Sequence, residues 1–187
     1  MTTRERFNKV LHWQKPDRVP NMDFGYWDET IVAWHDQGLP RDVQTNEDVE
    51  RYLGLEGSEI IHQLPVINGL HPLFECEVLE DRGEREIIRN DHGIICETFK
   101  NRSSIPRYLK YGIETREDWE QYRNEHLDYT REDRIGDVAG AVDAAHTAGM
   151  PVRFDAGSLY GWLRNWMGVE NLSIALMTER QWVEEMM

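Results

Sequence analysis

The chain has 187 residues, 40% hydrophobic and 30% charged, the balance of a globular protein of one domain or slightly more. Its 35 acids outweigh 21 Lys and Arg for a formal net charge of −14, which argues against nucleic acid and membrane surfaces as partners. No apolar run approaches the roughly 18 residues of a membrane span. No apolar signal region follows Met1-Thr2-Thr3-Arg4-Glu5-Arg6, and two cysteines make no disulfide framework, so the expected compartment is cytoplasmic.

Thr2-Thr3-Arg4-Glu5 has the form of a capping box, and Phe7, Val10 and Leu11 then share one face, predicting a helix over 3–14 that Pro16 ends. Lys15-Pro16-Asp17-Arg18-Val19-Pro20 reads as a turn. Met22, Phe24 and Tyr26 alternate with Asn21, Asp23 and Gly25, predicting a strand from Val19 to about Gly25. A helix follows from Asp28 or Thr30 to Gly38, and another from an N-cap at Asn46, with Val49, Tyr52 and Leu53 inward. Between Ser58 and Leu73, Pro65, Gly69 and Pro72 interrupt an apolar stretch that leaves room for a second short strand near 60–67.

Residues 74–111 change character. Runs from Phe74 to Glu80, Glu84 to Arg89 and Gly93 to Phe99 alternate in polarity. Asp81-Arg82-Gly83 and Asn90-Asp91-His92-Gly93 supply turns, and Tyr108-Leu109-Lys110-Tyr111 supplies an edge strand, so an inserted antiparallel meander is expected. Cys76 and Cys96 fall on strand positions within it, as small buried hydrophobes rather than a metal pair. His62, His71 and His92 lack the spacing of metal ligands.

Thr115-Arg116-Glu117-Asp118 caps a further helix with Trp119 and Tyr122 inward, and a longer helix spans Ile135 to Ala148. Pro151 then opens a short strand, Val152 to Gly157, and Ser158 caps a helix whose inner face is Trp162, Leu163, Trp166 and Met167, closed by Gly168. In α/β proteins ligands gather where strands end and helices begin, which makes Asp155, Ser158 and Tyr160 candidate site residues. The alternative is a tight strand-to-helix connection and nothing more. A short helix covers 172–177, and Thr178-Glu179-Arg180-Gln181 caps a last one carrying Trp182, Val183 and Met186. With two or three parallel-type strands against the many that a parallel sheet uses, the expected fold class is α/β: the N-terminal portion of a TIM-like (β/α)8 barrel with an inserted antiparallel meander, in a single, incomplete barrel domain over 1–187.

Arg4-Glu5-Arg6-Phe7 followed by Lys15-Pro16-Asp17-Arg18-Val19-Pro20 resembles the opening of the uroporphyrinogen decarboxylase-like superfamily. The run from Phe154 to Gly168 is similar to that family's strand, turn and helix. Asp91-His92-Gly93 resembles the branch that includes methyltransferases acting on corrinoid proteins and thiols. The resemblance spans essentially the whole chain and corresponds to about the first half of the family's barrel.

The departures are chemical. Family decarboxylases carry an arginine-rich segment just after the first strand, suited to a substrate with many carboxylates. Here the same place reads Met22-Asp23-Phe24-Gly25-Tyr26-Trp27-Asp28, with two acids and no arginine. The family aspartate of the second strand region falls on Ile60-Ile61-His62-Gln63-Leu64, the turn proline on Leu159, and the helix tyrosine near Asn165-Trp166. The resemblance therefore implies methyl transfer involving a corrinoid protein or thiol acceptor and a small-molecule substrate. The alternatives are uroporphyrinogen decarboxylation, and an inactive half barrel that binds a complementary chain or a second copy. It implies a pocket at the barrel's C-terminal face with Asp23 and Asp155 as acid/base or cation-holding groups, and Tyr26, Trp27, Ser158, Tyr160 and Arg164 as substrate contacts. Zinc, held by a His and two Cys, belongs to the second half of the methyltransferase barrel, so no metal ligand is expected within 1–187.

Overall fold

The computed structural model describes residues 1–56, 61–103 and 105–187. They form two compact units, each built from two stretches of chain: Met1–Val66 with Ile135–Asp155, and Ile67–Arg134 with Ala156–Met187. Among the described residues the fold is mixed α/β, with eight α-helices, a two-stranded parallel sheet, a four-stranded antiparallel sheet and no closed barrel. No helix among them is long and apolar enough to cross a membrane.

The first unit opens with α1 (Thr3–Leu11), and its capping box forms as the sequence predicts: Thr2 Oγ1 accepts the Glu5 amide while the Glu5 carboxylate accepts the Thr2 amide. α2 is Asp28–His35, and α3 is Asn46–Leu53. The cap of α3 is Thr45 rather than Asn46, because Thr45 and Asp48 close a capping box one residue earlier. Ile31, Val43 and Val49 form a small core with Tyr26, Trp34 and Leu39 against it, whereas Tyr52 and Leu53, expected inward, are exposed.

Residues 19–25 join no ladder. Alternation fixes an extended chain but supplies no partner, and Pro20 has no amide to donate. The segment's hydrogen bonds run to Glu56 instead: the Asn21 amide donates to Glu56 Oε2 at 2.9 Å and the Glu56 amide to Asn21 O at 2.7 Å. The second expected strand does pair. β1 (His62–Gln63) lies parallel to β6 (Val152–Arg153), with His62 opposite Val152. Ser58 and Ile60, at the start of that region, lie outside the described residues. α5 (Val138–Thr147) packs on β1, so β1, α5 and β6 make a strand–helix–strand crossover of the kind parallel pairing requires. Both residues of β6 are exposed, unlike a strand inside a filled barrel.

In the second unit the meander is present in full: β2 (Glu77–Arg82), β3 (Arg85–Arg89), β4 (Ile95–Phe99) and β5 (Arg107–Lys110), in that spatial order and all antiparallel. The β2–β3 turn sits at Gly83-Glu84, one residue later than the sequence suggests. Cys96 on β4 is buried as expected, but Cys76 lies just ahead of β2 and is exposed. The core gathers the inner faces of α4 (Arg116–His126), α6 (Leu159–Met167), α7 (Val169–Thr178) and α8 (Arg180–Met186). Trp119, Tyr122, Leu163, Trp166, Met167, Leu172, Trp182 and Val183 are all buried there. The box expected at Thr178 does not form. Its hydroxyl donates back to Ile174 O at 3.0 Å, and α8 starts after Glu179 with no side-chain cap.

A buried guanidinium ties this unit together. Arg134 is 2% exposed and donates all five of its N–H groups to backbone carbonyls: Asp128, Ile67, Gly69, His71 and His126, at 2.7–3.2 Å. Its cation also lies 4.7 Å from the Tyr129 ring centroid.

Candidate functional site

The residues expected to line a pocket divide between the two units. Asp23, Tyr26, Trp27 and Asp155 belong to the first, Ser158, Tyr160 and Arg164 to the second.

In the first unit, Gly25 adopts φ +110°, a turn that only glycine makes at little cost, and this brings Tyr26 onto Asn46. The Tyr26 amide donates to Asn46 Oδ1 at 2.6 Å, and Asn46 Nδ2 returns a bond to Tyr26 O at 3.3 Å. The ring of Tyr26 stands edge-on to Trp34 with centroids 4.9 Å apart. So fixed, the phenol donates to Asp23 Oδ2 at 2.9 Å, while Asp23 Oδ1 accepts the Phe24 amide at 2.8 Å. Burial raises the Tyr26 phenol above its ordinary value, and the bond to Asp23 raises it further. Tyr26 is therefore a proton-bearing donor near neutrality, and Asp23 is an exposed, oriented carboxylate. Trp27 is the N-cap residue of α2 and is 47% exposed, its indole open to a planar ligand. Asp155 is exposed and follows the C-terminal end of β6 by two residues.

The chain upstream of Asp23 enters a charged lattice built from Arg6, Asp17, Arg18 and Glu56. Arg6 is 7% exposed and grips Asp17 with Nε and Nη2, both at 2.8 Å. Its Nη1 bonds Glu56, which is 5% exposed. Arg18 Nη1 reaches the other Glu56 oxygen at 2.9 Å, which also accepts the Asn21 amide at 2.9 Å. The Arg6 fork holds the Asp17 carboxyl well below the ordinary range. Burial alone would push Glu56 up, but the Asn21 amide and Arg18 outweigh it, and the net shift is down. This lattice locks α1 to 17–21 and so sets where the chain leaves toward Asp23. Glu56 carries no periodic or motif signal in the sequence. Only its two arginine partners were visible, as parts of Arg4-Glu5-Arg6 and Pro16-Asp17-Arg18.

In the second unit, Ser158 is the N-cap of α6, and its Oγ accepts the Gly161 amide at 2.8 Å. Its hydroxyl proton is left to donate elsewhere. Tyr160 in the first turn is 42% exposed. Arg164 folds onto its neighbour, donating from Nε and Nη2 to Asn165 Oδ1 at 3.2 and 2.9 Å. The turn ahead of α6 depends on Gly157, at φ +69°. A Cβ built there would stand 2.4 Å from the Trp162 indole, which packs over the turn. The face predicted from Trp162, Leu163, Trp166 and Met167 is thus used twice, inward for the core and back across the turn.

Zinc is the metal that the resemblance raises. Among the described residues no three His, Cys, Asp or Glu side chains gather around a point a metal would occupy. The Cys96 thiol is pushed up by burial, away from the thiolate a metal needs. Among the described residues, the side chains do not fit a zinc site. No protein-family model, curated protein or solved structure matches this chain.

Proposed function

We propose that this chain supplies the N-terminal portion of a uroporphyrinogen decarboxylase-like, TIM-type barrel, and that it serves methyl transfer between a corrinoid protein and a thiol-bearing small molecule. The observation that carries the reading is the parallel β1–β6 pair joined through α5, with Asp155 just past the end of β6. That is where α/β folds collect their chemistry. The Arg6–Asp17 and Arg18–Glu56 lattice supports it, since the runs that resemble the family's opening are structurally engaged.

Methyl transfer to a thiol breaks the S–H bond and forms an S–CH3 bond, and the methyl carbon leaves its cobalt electron pair behind. The protein's part is to take the sulfur's proton and to hold the acceptor in line. Asp23, oriented by Tyr26, and Asp155 are the carboxylates for that proton or for a cationic group on the acceptor. Trp27, in the same unit, offers an aromatic face. Uroporphyrinogen decarboxylation suits the site less well, because residues 22–28 carry two acids and no guanidinium to meet its carboxylates.

The test is demethylation of methylcobalamin in the presence of a small thiol, followed by its absorbance change. Turnover above the protein-free rate, falling at least about tenfold in Asp23→Asn or Asp155→Asn, is expected for a general base. A rate equal to the protein-free control refutes the proposal, and carbon dioxide release from uroporphyrinogen would replace it with the decarboxylase reading. The exposure of β6, Val19 (70%) and Phe24 (102%) favours a second reading, in which a complementary chain or a second copy covers this side of the first unit. Sedimentation at several concentrations tests it, and a monomer throughout removes the second copy.

A further inference from the structure

The first unit holds a cleft of about 330 Å³ between one face of α1, the last turn of α5, Ile61 and β6. It takes its residues from the N-terminal approach and body of β6, whereas Asp155 lies past that strand's other end. Two guanidiniums and an imidazole line it, from Arg4, Arg153 and His146, together with the Asn8 carboxamide. The Arg4 amide donates to Gly149 O at 3.2 Å, which seats Arg4 beside the end of α5. Its Nη2 then meets His146 Nε2 at 3.1 Å. A guanidinium has only donors, so Nε2 is the acceptor in this contact. Arg153 Nε donates to Gln63 Oε1 at 3.0 Å, which orients its fork.

Among the described residues no carboxylate lies within ion-pairing distance of Arg4, His146 or Arg153. In a chain with 35 acids against 21 Lys and Arg, two guanidiniums in one concavity with no acid among its described lining residues reverse the overall charge locally. Elsewhere Arg6, Arg18, Arg41, Arg51, Arg82, Arg85, Arg89, Arg116, Arg131 and Arg180 pair with Asp or Glu, while Arg102, Arg107, Arg123 and Arg164 have no carboxylate partner among the described residues but do not line this cleft. Apart from Asn8 the remaining wall is apolar, with Phe7, Leu11 and Val152 among its members. Cations over an apolar wall match a ligand with an oxyanion head and a hydrocarbon body, and the volume suits a small molecule.

We propose that this cleft binds a small amphiphilic oxyanion, its carboxylate or phosphate head between Arg4 and Arg153 and its apolar body along Phe7, Leu11 and Val152. The site is independent of the methyl-transfer reading and uses none of its residues. Titration calorimetry of the full chain with octanoate, octyl phosphate, inorganic phosphate and octanol tests it. The two amphiphiles are expected to bind saturably at one site, at least about tenfold tighter than inorganic phosphate, with no binding of octanol; the tighter head identifies the source, a carboxylate or a phosphate ester. Arg4→Gln and Arg153→Gln should each weaken the amphiphiles about tenfold or more, whereas Arg180→Gln, far along the chain on α8, should not. Urea midpoints of the variants, unchanged from the parent, separate lost binding from lost folding. Absence of saturable binding at millimolar amphiphile, octanol binding as well as octanoate, or affinity unchanged in both cleft variants overturns the proposal.

Discussion

Replacing Arg134 by Met keeps the aliphatic stem and removes all five donors. One of the five carbonyls, His126 O, keeps the His71 amide at 2.7 Å. The other four, on Ile67, Gly69, His71 and Asp128, have no other donor among the described residues. At about 1 kcal/mol for each of these four carbonyls, the lower end of the cost of an unsatisfied group because Ile67, Gly69, His71 and Asp128 are not fully buried, the loss is about 4 kcal/mol. That is a large share of the roughly 5–15 kcal/mol that stabilises an ordinary domain. Arg134→Lys has three donors on one nitrogen and cannot span five carbonyls, so it should recover only part of this. The assay is urea unfolding followed by tryptophan fluorescence, since Trp119, Trp162, Trp166 and Trp182 all lie in the same unit as Arg134. Faster exchange of the Ile67 and His71 amides, which bond Arg134 O and His126 O, should accompany the change. A loss below about 1 kcal/mol with unaltered exchange would mean that water replaces the guanidinium without penalty, and the reasoning would fail.

Gly157→Ala must place a Cβ 2.4 Å from the Trp162 ring at φ +69°, and left-handed strain plus overpacking should cost about 2–4 kcal/mol in the same urea assay; an unchanged midpoint would show that Trp162 yields freely. A thiol-specific reagent should modify exposed Cys76 rapidly and Cys96 only on unfolding, because Cys96 is 2% exposed and its thiol is raised by burial; two equally fast thiols would contradict the β4 placement. Asp133, paired with Arg131 and then His71, lies well below its ordinary value, and Asp48, bonded by the Gln44 and Thr45 amides, also lies below it. Such groups add stability that is complete above the unfolded carboxyl value, roughly 4, and is lost as pH falls through the folded values. The urea midpoint should therefore drop from pH 5 to pH 2.5, and a flat profile across that window would remove these contacts from the stability account.

The meander was readable because its first two turns are announced by chemistry, Asp81-Arg82-Gly83 and Asn90-Asp91-His92-Gly93, and the runs beside them alternate. The inward face of α6 was readable for the same reason, since Leu163, Trp166 and Met167 repeat at helical spacing and are buried. What failed was partnership. Alternation over 19–25 specifies an extended backbone and says nothing of whether a strand lies beside it, and Glu56 took the hydrogen bonds that a neighbouring strand would have made. Among the candidate site residues, Ser158 was found through its capping role, and that role occupies its oxygen. Asp23 was noticed for its charge, but the Tyr26 and Asn46 contacts that orient it depend on a turn at Gly25 and a helix start twenty residues on. Arg134, Glu56 and the Arg4–His146 contact had no signal, because periodicity registers apolar faces and is silent on a lone polar residue whose partners are distant in sequence.

The β1–β6 pair carries a consequence for the order in which the chain assembles. Gln63 and Arg153 face each other across ninety residues of sequence. On a ribosome, β1 emerges long before its partner exists, and meanwhile the hairpins of β2 through β5, joined by short turns, close on themselves within microseconds. The first unit can be completed only after all of the second unit's first segment, Ile67–Arg134, has been made, because that segment lies between β1 and α5 in the sequence. Synthesis thus runs from local antiparallel pairing to one distant parallel pairing, and a slow step in folding belongs to the two residues of β6 finding β1 rather than to the larger sheet.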